Sequence, residues 1–181
     1  MSKARTAVKL SNGLVSLSVC CAVGAASAAK VHSHGAVKLG VAVDGSDVTI
    51  VVQMPLDSLV GFERAPRTDA ERKDAAAALE KMRDGAALFR LDAAAQCALA
   101  SAKVVAPALE QPGQSGASKE HADLDATYVF RCAQPSRLAS LDVLLFDAFK
   151  RIDRIDVQAV LPQGQSKAVL RRSARVLRLT R

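Results

Sequence analysis

An α+β fold is the reading this sequence supports, a mainly antiparallel β-sheet of about seven strands with one principal amphipathic helix packed on it. Three observations carry it. Short runs of alternating apolar residues recur along the chain between turns rich in Gly, Pro and Asp. A single segment, Asp69 to Asp84, has sustained helical periodicity. No internal repeat multiplies either pattern.

The first strands are Val37, Leu39, Val41 and Val43 on one face, then Val48, Ile50 and Val52 after Asp44-Gly45-Ser46-Asp47. A short Asp-Gly connection between alternating runs predicts a hairpin, and Pro55 ends its second strand. DSLVGFERAPR reads as an ordered loop. Thr68 then stands as N-cap with Glu71 three residues on, the pattern of a capping box. Ala75, Ala78, Leu79, Met82 and Ala86 follow at helical spacing, and this Ala-rich face suits close packing on a sheet.

A short helical turn is expected around Ala86 to Phe89. AQCALASAKVV and DATYVFRC read as strands on either side of a flexible excursion, residues 107–122, rich in Pro, Gly and Ser. LDVLLFDAF fits both a strand and a helical turn. IDVQAVLP, a Pro162–Gln165 turn, SKAVL and a last edge strand in ARVLRL complete the pattern.

The amino terminus has the plan of an export signal. MSKARTAVK is basic, LSNGLVSLSVCCAV is uncharged and apolar-leaning, and AASAA offers the small residues a signal peptidase cuts. Residues 1–28 therefore read as a signal peptide and 29–181 as a single exported domain, without a membrane anchor after processing. Cys20 and Cys21 leave with the signal, so Cys97 and Cys132 remain and are expected to form one structural disulfide.

Charge and composition exclude several functions. The net charge of +7 falls to +4 without Lys3, Arg5 and Lys9, and five arginines in LRRSARVLRLTR have no acid near them in sequence. No nucleic-acid-binding motif accompanies that charge, and with no Trp and one Tyr there is little to stack on bases. GxSxG, P-loop, HExxH and CxxC motifs are all absent, so no enzyme is expected.

Metal binding is the better chemical expectation. His32 and His34 alternate, which puts both imidazoles on one face of an extended segment. Glu120, His121 and Asp123 close the excursion and offer further donors suited to zinc. Cleavage that leaves Lys30 as the first residue would place His32 third, a geometry that chelates Cu(II) or Ni(II). Cleavage one residue earlier removes it.

HSHGAVKLGVAVDG, LVGFERAPRT, ALF, YVFRC, LDVLLFDAF and IDVQAVLPQGQ occur in this order. In these segments the chain resembles the ZrgA family of periplasmic zinc-uptake-associated proteins, over about Val31 to Arg181. The resemblance implies a periplasmic accessory protein of zinc homeostasis, binding Zn(II) weakly. It also implies, as partner, the periplasmic binding protein of a zinc ABC importer. In the family, zinc binding is attributed mainly to a long His-rich insertion between the two cysteine-bearing strands. Here that place holds LEQPGQSGASKEHADLD, with one histidine. His32, His34 and His121 are the residues that carry over. The alternative is an interaction module that keeps the fold, binds no metal and contacts a transporter or envelope partner through GFERAPR or the basic last strand.

Overall fold

The first hairpin forms where the Asp-Gly turn puts it, and the rest of the larger sheet is built outward from it. The computed structural model describes residues 34–110 and 123–180. Strand β1 (Ala36–Asp44) turns through Gly45 and Ser46 into β2 (Asp47–Pro55), with Asp44 opposite Asp47 and Lys38 opposite Gln53. Helix α1 (Leu56–Val60) follows at once, then α2 (Asp69–Arg83), α3 (Gly85–Leu88), β3 (Phe89–Leu91) and β4 (Cys97–Val105). After α4 (Pro107–Glu110) come β5 (Asp123–Cys132), β6 (Ser140–Val143) and α5 (Leu145–Ala148). The last elements are β7 (Arg154–Leu161), β8 (Gly164–Leu170) and β9 (Val176–Arg178).

Among the described residues nine strands divide between two sheets. The larger has the order β4-β5-β2-β1-β7-β8 and the smaller β3-β6-β9. Every pair is antiparallel except β1 with β7, so the fold is α+β with a mainly antiparallel sheet. Alternation explains its packing: Val37, Leu39 and Val41 of β1 and Val48, Ile50, Val52 and Met54 of β2 are all buried, while the residues between them face outward. The buried residues of both sheets and of α2 join one hydrophobic cluster.

Helix α2 starts as its sequence specifies. The Thr68 hydroxyl accepts from the Glu71 N–H at 3.1 Å. The Glu71 carboxylate reaches one residue further back than a capping box requires, to the Arg67 N–H at 2.6 Å. Ala75, Ala78, Leu79 and Met82 form its buried face. Tyr128 of β5 lies wholly buried below, donates to the Met82 carbonyl at 2.6 Å and packs its ring against Phe89. Burial pushes its phenol well above the usual range.

Several local expectations are refined. DSLVGFERAPR is not wholly loop: Leu56 to Val60 make one helical turn, because Leu56 and Leu59 can both enter the core from it. LDVLLFDAF resolves into both alternatives in succession, β6 and then α5. The excursion expected over 107–122 begins as helix α4, and residues 111–122 lie outside the described residues. The last strand is an edge, but of the smaller sheet.

Among the basic residues near the end, Arg175 does find acids. It lies 2.9 Å from Asp142 and pairs with Asp147. Arg172 donates to the carbonyls of Phe146, Lys150 and Ile152, tying α5 and the residues after it to the turn that follows β8. Cys97 and Cys132 face each other across β4 and β5 and are disulfide-bonded.

Candidate metal centre

The antiparallel hairpin fixes which groups meet at its open end. Extending the β1–β2 register four residues past Lys38 and Gln53 sets position 34 opposite position 57. His34 and Asp57 do meet there: His34 Nδ1–H donates to Asp57 Oδ2 at 2.5 Å. The Glu63 carboxylate lies 4.0 Å from the same nitrogen. One donor atom from each of the three residues lies within 4.8 Å of the other two.

Each donor has its own support. Gly35 follows His34 with φ +73°, and its carbonyl accepts from the Asp153 and Arg154 N–H groups at 2.8 and 3.1 Å. A Cβ there would come within 2.8 Å of Asp153, so glycine is required for the chain to enter β1 this way. Asp57 occupies the first turn of α1. Gly61 ends that helix in the left-handed region, φ +89°, and turns the chain toward Glu63.

Beyond Glu63, the Arg64 guanidinium grips Glu71 through two bonds of 2.8 and 2.7 Å and lies 4.9 Å over the Phe62 ring. Arg64, helped by the Arg67 N–H, holds the Glu71 carboxyl at about 2, well below its ordinary 4.5. The loop that carries Glu63 is thus fastened to the start of α2.

The site is open to solvent on the histidine side. The His34 side chain is 75 % exposed, against 21 % for Asp57 and 42 % for Glu63. Its hydrogen bond to Asp57, and then the charges of Asp57 and Glu63, raise the His34 pKa above its ordinary value. One imidazole nitrogen with two carboxylates is a donor set that suits zinc. In a tetrahedral shell with bonds of roughly 2.0–2.1 Å the donors stand about 3.3 Å apart. The His34–Asp57 gap would widen as the ion replaces the proton, Glu63 would close slightly, and a fourth position would stay free. Binding at Nδ1 would release the proton held there.

Of the donors expected from sequence, His34 is the one this cluster contains. Asp123 begins β5, opposite Pro55, at the same end of the larger sheet. His32, Glu120 and His121 lie outside the described residues, as do residues 30–32, on which a Cu(II) or Ni(II) chelate depends. Asp57 and Glu63 are the donors that sequence reasoning missed. The Asp-Gly turn was the available signal for Asp57, since it sets the register that leads to it. Glu63 has no such signal, because a loop positions it.

The sequence model described as ZrgA family zinc uptake protein matches residues 31–179. A comparison with curated proteins finds no match. The family and the Cys97–Cys132 disulfide are both compatible with an exported protein. No helix among the described residues is long and apolar enough to cross a membrane. With most of its length matched, from just before the histidine turn to the end of the last strand, the chain belongs to the ZrgA family of zinc uptake proteins and serves zinc homeostasis.

Proposed function

We propose that this chain is a non-catalytic periplasmic accessory protein of zinc uptake. It binds Zn(II) weakly at His34, Asp57 and Glu63, and passes the ion to the periplasmic binding protein of a zinc ABC importer. The observation that carries this reading is the convergence of an imidazole and two carboxylates from three separate segments. Three donors and an exposed imidazole favour exchange over storage, because a fourth ligand can enter without unfolding anything. His32, Glu120, His121 and Asp123 are further donors in this reading. Support for the last comes from the β2–β5 register, which starts β5 two residues from Asp57 across the sheet.

Calorimetric titration with Zn(II) tests the reading on the wild-type chain and on His34→Ala and Asp57→Asn. One zinc per chain is expected, with at least tenfold weaker binding in either variant. The stability of His34→Ala should change by no more than about 0.5 kcal/mol, as expected for an exposed side chain. Absence of heat below millimolar zinc would overturn the reading, and so would equal binding by all three proteins.

A further inference from the structure

We propose that Ser58 is the positioning residue of this centre: its buried hydroxyl fixes the Asp57 carboxylate and the His34–Gly35 backbone in one arrangement. The inference rests on the zinc reading above and assigns a role to a residue outside the donor set.

Ser58 is a polar side chain with no exposed surface at all. A hydroxyl placed there must find partners inside the protein. Both of its partners belong to the site. It accepts the Gly35 N–H at 3.2 Å and donates to Asp57 Oδ1 at 3.3 Å. The second oxygen of Asp57 faces His34 Nδ1 at 2.5 Å. Turning the carboxylate away from the imidazole would therefore also disturb its bond to Ser58.

The histidine side of the link is equally held. The Gly35 N–H is engaged by Ser58, and its carbonyl is engaged by two amides of residues leading into β7. The hydroxyl thus joins the segment before β1 to the helix after β2. Helix α1 has only five residues and carries no side-chain cap. Its own stiffness does little to orient Asp57, and the Ser58 bond supplies that orientation. Groups that hold a metal's ligands in this way typically change affinity 10–100-fold when removed.

Zinc competition titration and the visible Co(II) spectrum of the full chain test the assignment. Ser58→Ala should weaken zinc about 10–100-fold and shift the Co(II) band. Because an alanine leaves the Gly35 N–H without a partner and could disturb folding, the near-isosteric pair Ser58→Thr and Ser58→Val is measured as well. The threonine variant keeps the hydroxyl and should bind more tightly than the valine variant by at least tenfold, with matching circular dichroism. Wild-type binding together with equal affinities in the Thr and Val variants would overturn the role of Ser58 alone. No binding by the wild type would overturn the zinc reading and this role with it.

Discussion

The two ends of the larger sheet are built on opposite principles. At one end β1 and β2 are joined by two residues, and β4 and β5 by the Cys97–Cys132 bond. The Cys132 N–H also reaches across to the Ser46 carbonyl at 2.8 Å, and Arg131 pairs with Asp47. At the other end the strands run out toward His34, Asp57 and Asp123, and His34 meets Asp57 there without a covalent tie. Register is set at the closed end and used at the open one. Ten residues of β5 separate them, about 30 Å at roughly 3.3 Å per residue.

Removing the disulfide is the strongest way to challenge that division. Cys97→Ala/Cys132→Ala should lose roughly 4 kcal/mol of stability, the entropy estimate for two cysteines 35 residues apart. Denaturant unfolding measures the loss. Zinc affinity of the folded variant should stay within about threefold, since distant sites act independently. A large fall in affinity would show that the closed end controls the open one.

Gly61→Ala probes the open end. Its backbone is left-handed, and a Cβ would lie 2.7 Å from the Arg151 guanidinium. Arginine can move aside, but the backbone cost of about 1–2 kcal/mol stays. Zinc affinity should fall as well, because Glu63 is two residues on.

The smallest effect concerns acid. The Glu71 carboxylate is held ionised, so its contribution to stability is complete above pH 4.5 and is lost as pH falls through about 2. The stability gap between wild type and Glu71→Gln should therefore shrink over that window in acid unfolding curves. A gap that is constant with pH would mean that Arg64 does not fasten the Glu63 loop through charge.

How much of this could be read from the sequence follows from how local each cause is. The Asp44–Asp47 hairpin and the Thr68 cap are encoded within a few residues, and both form where their signals stand. Helix α1 was hidden because five residues between Pro55 and Gly61 are too few to show a period. Strands β3 and β9, of three residues each, contain no signal that says which sheet they join. The candidate site splits in the same way. His34 stands out as half of an alternating pair, whereas Asp57 was missed, although extending the hairpin register leads to it. Glu63 depends on a left-handed turn at Gly61 and a clamp between Arg64 and Glu71, seven residues apart. No pattern of residue types announces that combination.

The parallel pairing of β1 with β7 has a consequence for damaged forms of the protein. Strand β1 lies between β2 and β7, although β7 begins only at Arg154. A chain cut before that residue would keep the first hairpin but leave a nine-residue backbone edge without its neighbour. Such an edge recruits strands from other molecules. Loss of the carboxyl-terminal segment would thus produce an aggregating species, and not a smaller working domain.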